Sequence, residues 1–120
     1  MEIALWIVAA IAALLNVLSG SMKLFTYDRY AKSAPYTEDF SPAAIRTIGA
    51  LEMLGGVGLI LPQLTGILSW LTIVAGFGLA IIQAGAIVVH TRRKEFTTLP
   101  INALLLALPL FVALGRLLWA

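Results

Sequence analysis

The sequence predicts an all-α integral membrane protein, a four-helix bundle in a single domain. Hydrophobic residues make up 61% of the 120-residue chain and charged residues only 12%, about half the charged fraction of an average soluble domain. Four apolar stretches of about 20 residues, each long enough to cross the hydrocarbon layer of a bilayer, nearly fill the chain. The segments between them are too short to fold separately in water, so residues 1–120 are expected to form one transmembrane domain.

The first two helices have recognisable limits. Residues 3–25 form an apolar run of about 35 Å, which exceeds the roughly 30 Å hydrocarbon layer. Its acidic start and its length favour an uncleaved membrane helix over a secretory signal peptide. The second helix is predicted over residues 42–61, with Ser41 as its N-cap, Pro42 in its first turn and Pro62 just beyond its end.

The third and fourth helices are predicted over residues 64–89 and 99–119. A basic turn connects them, and its charges exclude it from lipid. Pro109 lies inside the fourth span and has no backbone N–H to donate. The fourth helix is therefore expected to kink near Leu105, whose carbonyl loses its hydrogen-bond partner.

The basic residues predict the orientation of the bundle. Seven of the eight lie within or beside the two long connections, residues 26–41 and 90–98, and Arg116 alone lies near the termini. By the positive-inside rule, these connections are cytoplasmic and both termini are extracytoplasmic. The tyrosines and tryptophans are interpreted as anchors at the two membrane interfaces. Arg116 is expected to snorkel outward from the last turn.

Composition excludes several classes of function. The chain has no cysteine and one histidine, which excludes disulfides, thiolate-held clusters, thiol redox chemistry and a bis-histidine haem. We therefore expect no intrinsic redox centre and no metal site. The basic residues are scattered rather than aligned along one helix, so nucleic-acid binding is not expected.

Polar side chains from several helices are expected to meet inside the bundle. Counting helical turns places Asn16, Glu52 and Gln83 about 10 to 14 Å below the cytoplasmic boundary. Lys23 and Arg46 are the cations within reach of Glu52. The candidate site residues are the polar side chains within or beside the spans: Glu52, Lys23, Arg46, Asn16, Gln83, His90 and Asn102.

Two interpretations of this cluster remain open. In the first interpretation, the cluster binds a polar headgroup or relays a proton, because an ionisable side chain in hydrocarbon is too costly without a use or a partner. Alternatively, Glu52 forms a buried ion pair with Lys23 and Arg46 that aligns the helices. Asn16 and Gln83 would then be interhelical hydrogen-bond partners. Neither interpretation assigns a catalytic residue.

Three parts of the sequence resemble a known family. They are the end of the first helix (Ser-Gly-Ser-Met-Lys-Leu, 19–24), residues 46–62, and His90 at the end of the third helix. The second part is the most specific, because it joins an arginine, a glutamate, several glycines and a final proline in one order. Together they resemble the DoxX-like family of small four-helix membrane proteins, and the matching positions are Lys23, Arg46, Glu52 and His90.

The resemblance implies a bundle in the bacterial inner membrane. Members or close relatives are associated with a thiosulfate:quinone oxidoreductase, with oxidoreductase complexes that answer oxidative stress and, in a distant animal branch, with assembly of receptor channels. It implies a membrane subunit or accessory factor of a quinone-linked oxidoreductase rather than a self-contained enzyme. Quinone is then the candidate ligand of a polar pocket around Glu52, and a redox protein or a further copy of the chain is the candidate partner. The alternative is a non-enzymatic assembly factor or a carrier of small amphiphiles.

Overall fold

The computed structural model describes residues 1–119, and Ala120, the last residue of the predicted domain, lies outside them. Four of its helices are long and apolar enough to cross a membrane, which confirms the predicted all-α membrane fold. The α-helices are α1 (Glu2–Phe25), α2 (Tyr27–Ser33), α3 (Pro42–Thr65), α4 (Leu71–Arg92) and α5 (Leu99–Leu118), and 3₁₀ turns cover Pro35–Asp39 and Phe96–Thr98.

Helix α3 extends beyond its expected end at residue 61. Pro62 has no N–H to donate to the carbonyl of Gly58, but the hydroxyl of Thr72 on α4 donates to this carbonyl at 3.0 Å. The helix therefore passes through the proline. It ends at Gly66, which has a left-handed φ of 71° and donates its N–H to the Pro62 carbonyl.

The limits of α4 also differ from the predicted ones, whereas α5 lies close to its predicted range. Helix α4 begins at Leu71 rather than at residue 64, because α3 occupies the preceding turn, and it runs on to Arg92. Helix α5 is continuous through the buried Pro109. The kink at Leu105 stays a prediction.

The long helices form a closed ring. Helices α1 and α4 each pack against both α3 and α5. Successive long helices run in opposite directions, so residues 26–41 and 93–98 lie at one end, which we call the connector end. The opposite end, which we call the termini end, holds the turn 66–70 and the starts and finishes of α1 and α5.

Glycines bring α1 and α3 into close contact near the connector end. A Cβ atom added to Gly49 would lie 2.7 Å from the carbonyl oxygen of Gly20 and 2.7 Å from the Cβ of Lys23. Such distances are well inside van der Waals contact, so only glycine fits at this crossing. The crossing sets the stem of Lys23 against α3, one turn before Glu52.

The core has an apolar part and a polar part. Ala9, Ala12, Leu59, Leu79 and Val112 form a buried hydrophobic cluster. The buried Glu52 of α3 and the buried Gln83 and His90 of α4 lie nearer the connector end. Many large apolar side chains point away from the bundle and are exposed, as expected where the surrounding solvent is lipid.

At the termini end, Arg116 does not snorkel outward as expected. Its side chain is only 3% exposed. Its Nη1 donates to Oε1 of Glu2 at 2.6 Å, and its guanidinium lies 5.3 Å from the centroid of the Trp6 ring. These two partners on α1 hold it inward and join the first long helix to the last.

Candidate functional site

A buried carboxylate forms the centre of the candidate site. Glu52 on α3 is completely buried, and its Oε1 contacts the ammonium group of Lys23 on α1. Its Oε2 accepts hydrogen bonds from the hydroxyl of Ser19 at 3.2 Å and from Nε2 of Gln83 on α4 at 3.4 Å. Both oxygens therefore have donors, which compensates the cost of burying the charge.

The fourth long helix joins this cluster through an amide. Nδ2 of Asn102 on α5 donates to Oε1 of Gln83 at 3.2 Å. Among residues 1–119, Oδ1 of Asn102 is buried and receives no hydrogen bond. We call Ser19, Lys23, Glu52, Gln83 and Asn102 the polar network; α1, α3, α4 and α5 each contribute to it.

Three of the predicted residues, Asn16, Arg46 and His90, do not join the polar network. Asn16 is buried, but its Nδ2 donates to the carbonyl of Ala12 in its own helix at 2.8 Å. Arg46 is exposed, and its guanidinium lies 5.2 Å from the centroid of the Tyr27 ring. Six residues correspond to about 240° around a helix, so Arg46 and Glu52 lie on different faces of α3. The expectation that Arg46 approaches Glu52 is therefore wrong.

His90 lies at the connector end with a separate set of partners. Its Nδ1 is 2.9 Å from Oε1 of Glu95, and its ring makes an edge contact with Tyr36 at a centroid distance of 5.0 Å. Oε2 of Glu95 accepts a hydrogen bond from Nε of Arg93 at 3.2 Å. The structure thus gives His90 a carboxylate partner other than Glu52.

Charged side chains fasten residues 26–41, which we call the connector, to the turn between α4 and α5. Nη1 of Arg93 donates to Oδ2 of Asp39 at 2.9 Å. This hydrogen bond, together with the one to Glu95, holds the pKa of Arg93 above its ordinary value. Partial burial raises the pKa of Glu95. The hydrogen bonds from His90 and Arg93 lower this pKa by more than burial raises it, so the pKa of Glu95 lies below its usual range. We call Asp39, Arg93 and Glu95 the clasp.

Two tyrosines of the connector face the polar network. The hydroxyls of Tyr30 and Tyr36 are 2.5 Å apart, and Nζ of Lys23 lies 5.7 Å from the centroid of the Tyr30 ring. Burial raises the pKa of both tyrosines. Both therefore remain neutral phenols that can donate hydrogen bonds near neutral pH.

These parts surround a cavity of about 700 Å³. Its polar lining combines four members of the polar network with His90, Glu95 and the two tyrosines. Its apolar lining includes Phe40, Ile48, Ile82, Ile101 and Leu105. Glu52 itself does not line the cavity, whereas its partners Ser19, Lys23 and Gln83 do. The arrangement can receive a molecule with a polar, flat headgroup.

The chain was compared with models of known protein families. The model of the DoxX-like family matches residues 7–112. The chain belongs to this family. Every candidate site residue of this DoxX-like protein, from Asn16 to Asn102, lies within the match. Searches of curated proteins and of solved structures find no match.

Sequence analysis did not identify several residues that line the cavity of this DoxX-like protein. Tyr30 and Tyr36 were interpreted as interfacial anchors, although all three tyrosines of the chain lie within residues 27–36, a concentration that could have pointed to a site. Glu95 belonged to a turn interpreted as a topology signal. Ser19 lay in a family motif, but its small hydroxyl gave no reason to single it out. Within the described residues, no three His, Asp or Glu side chains lie close enough to hold a metal ion.

Proposed function

We propose that this DoxX-like protein is a membrane subunit or accessory factor of a quinone-linked oxidoreductase, and that its cavity binds the quinone headgroup. One observation carries the proposal: the same cavity has hydrogen-bonding groups from the polar network and aromatic and aliphatic side chains around them. Ligand sites typically combine an apolar lining with a few polar groups that fix orientation.

The donor set fits a quinone. The ring carbonyls of a quinone accept hydrogen bonds, and Lys23 is a donor in the cavity wall. The hydroxyls of Tyr30 and Tyr36 share one hydrogen bond, so one of their two hydrogens remains to donate to a ligand. The Oδ1 of Asn102 is an acceptor without a partner in the described chain, and it suits a hydroxyl of the reduced form. Phe40 and Tyr36 offer flat surfaces to the ring.

When bound, the quinone supplies proton-coupled two-electron chemistry. This chain's residues bind and orient the ring, keep water from its apolar side, and hold protons on Lys23 and on the tyrosine hydroxyls. Glu52 acts as a positioning residue, because its contact with Lys23 fixes the ammonium at the cavity wall. A partner protein supplies the electrons, since a chain with no cysteine and one histidine offers few ligands for a redox centre of its own.

The proposal includes a location and an orientation. We place the protein in the inner membrane with the connector end in the cytoplasm, because seven of the eight basic residues lie within or beside the connections at that end of the bundle. The redox partner is then expected to approach from the cytoplasm.

One observation favours a carrier of small amphiphiles as the second candidate. Ile81 lines the cavity and is 71% exposed on the lipid-facing surface. An amphiphile could therefore enter from the bilayer and leave again without any redox step. A non-enzymatic assembly factor would need neither this opening nor a bound quinone.

Binding of a tail-less benzoquinone to the protein in lipid nanodiscs tests the headgroup site. We expect saturable binding to the wild-type protein. Asn102→Leu should weaken binding of the corresponding hydroquinone about tenfold, because the hydroxyl of the reduced form loses its acceptor, Oδ1 of Asn102. Arg46→Met is the matched control, because Arg46 lies outside the cavity, and it should bind like the wild type. Absence of saturable binding to the wild type refutes the quinone site.

Co-purification in mild detergent separates the candidates. A quinone together with a redox protein supports the oxidoreductase proposal. Another amphiphile without a redox protein supports the carrier, and a client protein without any amphiphile supports the assembly factor. Either of the last two results contradicts the primary proposal.

A further inference from the structure

A second, apolar groove runs along the seam between α3 and α4. Its volume is about 460 Å³, and all the side chains that line it are apolar, among them Leu54, Val74 and Leu79. Gly78 leaves space in its wall, because a Cβ atom added there would meet nothing within 4 Å. Along α4 it extends from Leu71 to Ile82, a rise of about 16 Å, towards the termini end.

The groove adjoins the cavity described above. Ile82 lines both of them. On the adjoining turns of α4, Gly85 lines the cavity and Gly78 lines the groove, and a Cβ atom added to either glycine would meet nothing within 4 Å. The surface of α4 is therefore open on both sides of Ile82, where the polar cavity and the apolar groove adjoin.

We infer that the groove holds the apolar tail of the amphiphile whose headgroup lies in the cavity, so that the ligand is a long-tailed lipid. The inference rests on the headgroup site of the proposed function. A polar chamber that leads into an apolar channel matches a molecule with one polar and one apolar end. The ligand thus enters from the bilayer, and its tail lies along α3 and α4 towards the termini end.

Attachment to the headgroup explains why the groove takes this tail rather than any passing lipid chain. Lipid tails are as apolar as the groove, so there is no hydrophobic gain from moving a tail into it. A bound headgroup, however, keeps its own tail beside the groove at a high effective concentration. Packing contacts in the groove then add affinity that a tail-less molecule lacks.

Filling the groove near its junction with the cavity tests the inference. Gly78→Leu places a side chain in open space, and leucine favours a helix over glycine, so the fold is expected to be kept. Ala84→Leu is the matched control, because Ala84 is exposed on the same helix and lines neither the cavity nor the groove. The probes are two benzoquinones with the same ring, one with an isoprenoid tail and one without a tail.

We expect Gly78→Leu to weaken binding of the long-tailed quinone at least fivefold and to leave binding of the tail-less quinone unchanged. Ala84→Leu should change neither. Unchanged binding of both quinones to Gly78→Leu overturns the inference about the tail while the headgroup site stands. If the wild type binds no tail-less quinone, the proposed function itself fails.

A photoreactive tail identifies what occupies the groove. A long-tailed quinone with a diazirine in its tail should label Leu54 or Val74, and an excess of the unlabelled long-tailed quinone should suppress this labelling. Labelling spread over lipid-facing residues such as Leu14 and Leu104, without suppression, means that bulk lipid fills the groove and overturns the inference. A disulfide-linked dimer formed by Val74→Cys in this cysteine-free chain would assign the groove to a second copy, with the same consequence.

Discussion

Replacing Glu52 by glutamine is expected to leave the ammonium of Lys23 inside the bundle without its counter-charge. Breaking a buried ion pair costs about 3 to 5 kcal/mol. We expect Glu52→Gln to fall at the lower end, about 3 kcal/mol, because the Lys23 side chain is 10% exposed and lies near the connector end, where a long side chain can turn towards the interface. This cost corresponds to roughly a hundredfold increase in the unfolding constant.

The opposite change should cost more. Lys23→Met leaves a carboxylate that is completely buried and is held by Ser19 and Gln83, too far from the interface to escape, so we expect a loss of about 5 kcal/mol. The double variant should lose about 3 kcal/mol less than the sum of the two single changes, because no unpaired charge remains. Arg46→Met is the control and should cost less than about 1 kcal/mol, the value of an exposed contact between a cation and an aromatic ring.

Unfolding free energies measured by titration with sodium dodecyl sulfate in mixed micelles, followed by circular dichroism, would test these values. The ion pair would be refuted as a stabilising element if each single variant lost less than about 0.5 kcal/mol and the two losses were additive. A loss for Arg46→Met equal to that for Lys23→Met would refute it as well. A Glu52→Gln protein that keeps its stability but loses its cavity ligand would instead assign Glu52 to ligand binding, and one that keeps both would refute either role.

Three further predictions concern packing, pH and orientation. Gly49→Ala should destabilise the protein by about 1 to 3 kcal/mol through overpacking at the crossing of α1 and α3, whereas Gly85→Ala, which has open space, should not destabilise it in the same titration. Because the pKa of Glu95 is lowered in the folded protein, the clasp should stabilise the connector above the ordinary pKa of glutamate, and this contribution should be lost as the pH falls through the lowered value. Amide exchange of residues 26–41, corrected for the intrinsic pH dependence, should become faster in acid. Arg93→Ala should make this exchange faster already at neutral pH. Exchange that does not respond to acid would contradict this role of the clasp. A C-terminal alkaline phosphatase fusion should be active and a C-terminal green fluorescent protein fusion dark, and the reverse pattern would contradict the proposed orientation.

The long helices could be predicted because hydrophobic runs of membrane length leave few alternatives. The ends were harder to predict. A proline is expected to end a helix because it leaves a carbonyl without a donor, but at Pro62 another group donates to that carbonyl, which belongs to Gly58. Thr72, which does so, lies on the next helix, and nothing near Pro62 in the sequence announces it. Arg116 shows the same effect, because its partners Glu2 and Trp6 are at the other end of the chain.

The candidate site was predictable in its depth but not in its pairing. Counting turns brings Glu52 and Gln83 to one level, and the structure joins them. Choosing between Lys23 and Arg46 required the rotational position of each helix, which hydropathy does not fix when a helix is apolar on most of its faces. For the tyrosines of the connector the sequence offered only their concentration within residues 27–36, because their position depends on how the connector folds against the bundle.

The contribution of α5 to the polar network has a consequence for biosynthesis. Helix α5 is synthesised last. Until it inserts, Gln83 in the polar network lacks its partner Asn102, and Glu2 at the termini end lacks its partner Arg116. During that interval the bundle has an open side through which lipid meets polar side chains. Arrival of the last helix closes both ends in one event. A nascent chain stalled before this step would expose the carboxamide of Gln83 to the bilayer and would leave the carboxylate of Glu2 without its guanidinium partner.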